Sequence, residues 1–138
     1  MKNRLIRNRS VAAMAAVLIG ALPVASHADG MVIANSSLNL SAGDIKDIYT
    51  GEKQLAGSTK LVPVDNAAAQ ADFLSKVLKM DNTKYQTSWT KKSFRDGLTA
   101  PAVKTTDAEV VEFVKRSPGG VGYVSGGAPS GVTVVTKY

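Results

Sequence analysis

Residues 106–125 read TDAEVVEFVKRSPGGVGYVS and contain a complete helix-to-strand unit. Thr106 and Glu109 have the spacing of a capping box, which predicts that a helix begins here. The apolar positions of that helix share one face: Val110, Phe113 and Val114. The Pro and Gly residues of Ser117–Gly120 end the helix, and Val121–Ser125 then reads as a short buried strand. A helix that leads directly into a buried strand is typical of α/β folds.

Three further apolar runs extend this pattern toward both ends of the chain: Met31–Asn35, Leu61–Val64 and Val132–Thr136. Each is short and rich in β-branched residues, as buried strands are. Because helical segments separate these strands, the expected fold class is α/β. We expect a single three-layer αβα lobe with a mixed sheet that helices cover on both faces.

Capping residues predict where two of the other helices begin. Ser41 and Asp44 form another capping box, and Gly51 stands where a left-handed residue would end that helix. Asp65 or Asn66 is expected to cap a longer helix that runs to about residue 80.

The segment that follows is expected to contain one more helix and a loop. Thr83 is the expected cap, and Tyr85 and Trp89 lie one helical turn apart. A loop is expected from Phe94 to Pro101. We interpret Tyr85, Trp89 and Phe94 as core or helix-packing residues rather than as a stacking platform for a ligand.

The first 28 residues have the three parts of a secretory signal peptide. Four basic residues come first, an apolar run covers 11–22, and small residues stand at 26 and 28. The apolar run is shorter than the roughly 20 residues that span a bilayer. We therefore expect cleavage after residue 28, periplasmic export, and one domain over 29–138 without a membrane anchor.

Composition excludes several kinds of function. The formal charge of +6 falls to +2 once the four basic residues of the signal are removed, which leaves no electrostatic footprint for nucleic acid. His27 is the only histidine, it lies in the signal, and the chain has no cysteine. Zinc sites built on His or Cys and catalytic His-dependent triads are therefore excluded. Each candidate carboxylate is explained either as a helix cap or as a surface residue. We therefore expect no catalytic residue, no metal and no cofactor.

Several short motifs occur in a set order: Ile48–Gly51, Leu61–Asp65, Phe73, Trp89, Phe94 with Gly97 and Pro101, and Pro118–Val124. In this order they resemble the phosphate-type substrate-binding proteins of ABC transporters, which have a type 2 periplasmic binding protein fold. The resemblance covers about residues 31–125 and implies a periplasmic solute-binding-like protein. Relatives that bind phosphate close two lobes over the anion, and this chain is long enough for one. It therefore resembles either the second lobe alone or a compact, single-lobe member.

The resemblance also implies where phosphate would bind. In two-lobed relatives a Ser-Gly-Thr triplet begins the helix after the Val-Pro-Val-Asp-like strand, four residues before a Phe, and holds the anion. Counting back from Phe73 places Ala67–Ala69 there, so both hydroxyls are missing. Backbone amides at a helix N-terminus would still favour an anion by about 0.3–1 kcal/mol. We therefore expect no more than weak anion binding through this helix.

Open α/β sheets bind ligands beyond the carboxyl ends of their strands, so strand ends and helix starts are expected to meet at one common rim. The candidate ligand-binding residues occupy those positions: Asn35, Ser36, Ser37, Ser41, Asp65, Asn66, Ala67, Thr105 and Thr106. Each of them also has a structural interpretation as a loop or cap residue. Gly119, Gly120 and Gly122 are interpreted as a tight helix-to-strand turn, because no nucleotide-binding glycine motif is present.

Two functions remain open at this point. The first is binding of a small anion or other small solute, or an accessory role beside a transporter or sensor component. The alternative is an interaction or scaffold protein that binds no ligand and uses the lone lobe to bind a protein partner or itself. The interaction alternative rests on geometry, because a lone lobe exposes the face that its partner lobe would cover. The chain would then be a monomer or a homodimer.

Overall fold

The computed structural model describes residues 30–138, so the expected signal peptide over 1–28 lies outside the described residues. The elements in chain order are β1 (Met31–Asn35), α1 (Ala42–Tyr49), β2 (Leu55–Ala56), β3 (Thr59–Lys60), β4 (Val62–Asn66), α2 (Gln70–Phe73) with a π-helical continuation (Leu74–Leu78), α3 (Asn82–Asp96), β5 (Ala102–Lys104), α4 (Asp107–Arg116), β6 (Gly120–Val124) and β7 (Val132–Lys137). Over this range, no helix has both the length and the apolar character needed to cross a membrane.

Within residues 30–138 the strands form a five-stranded sheet in the order β5-β4-β6-β1-β7 and a separate β2-β3 hairpin. Strand β4 runs parallel to both β5 and β6. Strand β1 runs antiparallel to both β6 and β7, so it opposes the other four strands of the sheet. The predicted α/β class with a mixed sheet is confirmed.

Helices cover both faces of the sheet, as predicted. Helices α1, α2 and α3 pack on one face, and α4 packs on the other. Along β1, Val32 and Ala34 join the first core cluster while Met31 and Ile33 join the second. Successive side chains of a strand point to opposite faces, which is how one short central strand contributes to both clusters.

The predicted starts of α1 and α4 are confirmed. Ser41 is the N-cap of α1, and its backbone N–H donates to the Asp44 carboxylate at 2.9 Å. Gly51 follows α1 with φ +79°, the left-handed conformation expected there. At the start of α4, the Thr106 hydroxyl accepts from the backbone N–H of Glu109 at 3.3 Å.

The predicted cap at Asp65 or Asn66 is wrong, because both residues belong to strand β4. The backbone N–H of Ala67 donates to the carbonyl oxygen of Lys104 at 2.8 Å, so pairing with β5 continues past the end of β4. The following helix has Ala69 as its N-cap.

The segment from Asp81 to β5 differs from the prediction in four ways. Asp81, not Thr83, caps α3, and its carboxylate accepts from the backbone N–H of Lys84 at 2.7 Å. Helix α3 extends into the predicted loop as far as Asp96, and Gly97 follows it with φ +67°. Its last turn leaves Phe94 96% exposed, so the prediction that Phe94 packs in the core is wrong. Strand β5 directly follows the predicted loop, in a segment for which no strand was predicted.

Candidate functional site

The antiparallel direction of β1 divides the candidate ligand-binding residues between the two ends of the sheet. Ala34, near the end of β1, pairs with Val121, near the beginning of β6, and β4 begins beside β6. Asn35 and the serines after it therefore lie at one end. The other end holds Asp65, Asn66, Ala67, Thr105 and Thr106. The expectation of one common rim is wrong.

At the first end, Asn35 binds the end of helix α4. Its side-chain amide donates to the carbonyl oxygens of Val114 at 2.9 Å and Lys115 at 3.2 Å. Its side-chain oxygen accepts from the backbone N–H of Ser37 at 3.0 Å and from the Ser37 hydroxyl at 2.7 Å. Asn35 thus satisfies carbonyl groups at a helix C-terminus, an environment that disfavours an anion. Ser36 and Ser41 are exposed.

We call the opposite end the carboxyl rim and define it by Asn66–Ala69, Lys104–Asp107 and Ser125–Gly126. The three amides of the alanine triplet are all engaged there. Ala67 N–H donates to the Lys104 carbonyl oxygen at 2.8 Å. Ala68 N–H donates to the Asn66 side-chain oxygen at 3.1 Å, and Ala69 N–H to the Asn66 carbonyl oxygen at 3.0 Å. The expectation that these amides remain available to an anion is therefore wrong.

A carboxylate of the chain itself occupies the middle of the carboxyl rim. Asp107 accepts from the Asn66 side-chain amide at 2.6 Å and from the Gly126 backbone N–H at 3.1 Å. It also accepts from the Ser125 backbone N–H at 3.2 Å and the Ser125 hydroxyl at 3.1 Å. Sequence reasoning treated Asp107 only as part of a helix start, because its loop donors are 18 and 19 residues away.

The two threonines of the carboxyl rim have structural contacts at the start of α4. Thr106 is the N-cap of the helix, and the backbone N–H of Thr105 donates to the Glu109 carboxylate at 3.0 Å. A cavity of about 530 Å³ shares Ala68, Ala69 and Ser125 with the carboxyl rim, and its other lining residues are Gly30, Asp72, Lys76 and Tyr138. Its lysine, Lys76, pairs with Asp72 at 3.1 Å.

Asp65 points into the core and not toward the carboxyl rim. It is 2% exposed, and its two carboxylate oxygens accept from the hydroxyls of Tyr85 and Tyr123, each at 2.8 Å. Burial raises the pKa of this carboxyl above its usual 3.8, while the two tyrosine hydrogen bonds act in the opposite direction. Asp65 therefore joins α3, β4 and β6 through its hydrogen bonds.

A different cavity, of about 450 Å³, lies where β4 and β5 begin, and we call it the apolar groove. Its lining is mainly apolar and includes Leu61, Val62, Pro63, Trp89, Leu98 and Phe113. Its charged lining residues among those described are Lys53 and Lys60. Sequence reasoning did not find this groove, because it depends on β5 and on the full length of α3.

Large apolar side chains are exposed next to this groove. Phe94 is 96% exposed and shares a neighbouring cavity with Trp89 and Ala100, which also line the groove. Val103 is 58% exposed and follows a groove residue along β5. Leu55 is 56% exposed and pairs with Lys60 in the β2-β3 hairpin.

No protein-family model matches the chain, and no curated protein matches it. Among solved structures, it is similar to an ABC-type phosphate transport receptor from Vibrio cholerae, with 18% sequence identity and a TM-score of 0.50. The match covers 78% of this chain and 45% of the receptor chain, so this chain spans less than half of that protein. The likeness establishes the fold, that of one lobe of a periplasmic binding protein. At the level of the fold, the resemblance inferred from the sequence is confirmed.

Proposed function

We propose that this chain is a non-enzymatic periplasmic protein in which one solute-binding-type lobe serves as a protein-interaction module in transport or sensing. It is not an anion receptor. One observation carries the proposal: at the carboxyl rim, the amides of Ala67–Ala69 and the donors of Ser125 and Gly126 already bind groups of the chain itself. The periplasmic location rests on the signal-like residues 1–28.

An incoming phosphate would meet an unfavourable surface at the carboxyl rim. It would have to replace the internal hydrogen bonds made by the amides of Ala67–Ala69 and by the donors of Ser125 and Gly126. It would also approach the carboxylate of Asp107. Two like charges 4 Å apart repel by about 1 kcal/mol in water and by about 4 kcal/mol near a protein surface. The lost hydrogen bonds and the repulsion by Asp107 both oppose the small favourable free energy that a helix N-terminus gives to anion binding.

The exposed apolar surface supports an interaction role. Phe94 is large, apolar and 96% exposed, and it shares a neighbouring cavity with Trp89 and Ala100, which line the apolar groove. Single exposed apolar residues are ordinary on a protein surface, whereas a contiguous apolar patch marks an interaction site. We therefore assign the interaction to the groove side of the lobe and not to the carboxyl rim.

A thermal-shift titration tests the absence of an anion site. We expect the melting temperature to stay unchanged in millimolar phosphate or sulfate, after correction for the ionic-strength effect measured with chloride. A saturable rise specific to phosphate would contradict the proposal, because a ligand that binds only the folded state must raise the melting temperature.

Site-specific crosslinking tests the interaction. The photo-crosslinker p-benzoylphenylalanine at Phe94 preserves the aromatic ring, and the same residue at the exposed Lys46 on α1 is the matched control. In intact cells we expect a discrete adduct from position 94 that position 46 does not form. The absence of an adduct at position 94, or the same adduct at both positions, would count against an interface on the groove side.

A further inference from the structure

We infer that the apolar groove binds an extended segment of a partner protein that is both apolar and acidic. Apolar side chains of the segment lie in the groove, and its carboxylates face Lys53 and Lys60. This inference rests on the proposed function, because it specifies the chemistry of the partner at the same surface.

The size and lining of the groove suit apolar side chains. Its volume of about 450 Å³ lies within the roughly 300–1,000 Å³ typical of binding clefts. Leu61 and Trp89 form buried parts of its lining, and Val62 is 39% exposed at its surface. A partner side chain that enters the groove would remove this apolar surface from water, which favours binding.

The two charged residues in the described lining of the groove are both basic. Among the described lining residues, Lys53 and Lys60 are the titratable ones, and none is acidic. Lys53 pairs with Asp44 at 3.1 Å, whereas Lys60 is exposed and has no salt bridge to any residue in 30–138. Complementary charge gives an interface its specificity and raises its association rate. The groove therefore selects an acidic segment.

The same charges argue against a second copy of this chain as the occupant. Two copies joined groove to groove would bring together two linings whose charged residues are lysines, and like charges weaken an interface. An isolated lipid-like molecule fits less well for a different reason. Within the groove, such a molecule would leave the neighbouring Phe94, which is 96% exposed, in contact with water. A protein segment covers such side chains as well as entering the groove.

Tryptophan fluorescence tests the inference directly. Trp89 is the only tryptophan of the sequence and lines the groove, so its emission reports occupancy. The probes are two peptides without aromatic residues, acetyl-Glu-Val-Leu-Val-Glu-Val-amide and its analogue with Lys in place of both Glu residues. We expect a saturable emission change with the acidic peptide and on the order of tenfold weaker binding of the basic one.

Charge reversal in the groove gives the matched variants. Lys60→Glu is expected to reverse the preference, so that the basic peptide binds more tightly than the acidic one. Lys84→Glu is the control, because Lys84 is an exposed lysine that lines a different cavity, and it should leave the preference unchanged. Circular dichroism confirms that both variants are folded.

Four results would overturn the inference: no emission change at millimolar peptide, equal binding of both peptides, an unchanged preference in Lys60→Glu, or tighter binding of dodecanoate than of the acidic peptide. The crosslink at position 94 distinguishes failure of the acidic-segment inference from failure of the proposed interaction role. If the adduct persists undiminished in Lys60→Glu, the interaction role stands and the acidic-segment inference fails. If the adduct disappears in Lys60→Glu but not in Lys84→Glu, both are supported.

Discussion

At the residue scale, the buried carboxylate of Asp65 makes the stability of the fold depend on pH. Burial raises the pKa of Asp65 above its usual 3.8. The folded chain therefore binds this proton more tightly than the unfolded chain does. Protonation of Asp65 therefore stabilises the folded state, and this stabilisation increases as pH falls from above the folded pKa toward 3.8. The stabilisation is lost as pH rises through the folded pKa.

The variant Asp65→Asn removes this titration. On lowering pH from about 7 to about 4, we expect the wild type to gain stability relative to Asp65→Asn, measured by urea unfolding at both pH values. Asp44, whose pKa is lowered by its hydrogen bonds to Ser41 and Lys53, acts in the opposite direction but is common to both proteins. Parallel pH profiles for the two proteins would show that Asp65 does not titrate differently on folding.

A second residue-scale prediction concerns the close packing of β6 against α4. A Cβ atom at Gly122 would collide with a methyl group of Val110 and lie 3.3 Å from a methyl group of Val114. We expect Gly122→Ala to lower the free energy of unfolding by about 1–3 kcal/mol, the usual cost of overpacking a core. Gly127→Ala is the control, since its Cβ meets no atom within 4 Å. Equal stability of the two variants would refute close helix-strand contact at Gly122.

At the element scale, the sequence predicts elements well where the signal is local. The capping boxes at Ser41 and Thr106 mark the starts of α1 and α4, because cap and helix are adjacent in the chain. Strand β5 has three residues, too few to show a period of two. Strand β4 runs on to Asn66 because it pairs with β5, and that pairing depends on a segment about 40 residues further along the chain.

Asp107 joins three elements at the carboxyl rim, and its removal has two expected effects. Asp107→Ala leaves the Asn66 side-chain amide and the donors of Ser125 and Gly126 without their acceptor. Hydrogen bonds to a charged group contribute about 1.5–3 kcal/mol each, and water replaces part of this at the surface, so we expect a loss of about 2–4 kcal/mol. The freed donors also form an anion site, so phosphate should raise the melting temperature of this variant and not that of the wild type.

The matched control is Glu112→Ala, which removes an exposed carboxylate from the same helix. It should change stability little, because its ion pair with Arg116 lies at the surface, where such pairs contribute about 0–1 kcal/mol. Phosphate should have no effect on it. If phosphate fails to stabilise Asp107→Ala, then the Asp107 carboxylate does not stand where an external anion could bind.

At the scale of the whole molecule, the direction of β1 decides which candidate residues can act together. Met31–Asn35 reads as a buried strand in either direction, since a periodic apolar pattern is the same forward and backward. Its antiparallel pairing with β6 and β7 depends on residues about 90 or more positions away. The fold class could therefore be predicted from the sequence, whereas the placement of Asn35 and Asn66 at opposite ends of the sheet could not.

Strand order also predicts where the molecule is least stable. Strand β1 pairs on both sides, and its residues Met31–Ala34 are between 0% and 5% exposed. Strand β5 pairs with β4 alone among the described strands, and Val103 is 58% exposed. Amide exchange is slow where backbone groups are paired and buried and fast where they are not. We expect the slowest exchange in β1 and β6, and fast exchange in β5 and the β2-β3 hairpin.

The apolar groove lies between the two regions expected to exchange fastest, since its lining comes from the hairpin side through Gln54 and Lys60 and from the β5 side through Pro101 and Ala102. A segment bound in the groove would hold these regions together and suppress their local opening. We therefore expect the acidic peptide to slow amide exchange in the hairpin and β5 while leaving β1 and β6 unchanged, as hydrogen–deuterium exchange mass spectrometry would show. Protection confined to the carboxyl rim would instead place the recognition surface at the opposite end of the sheet.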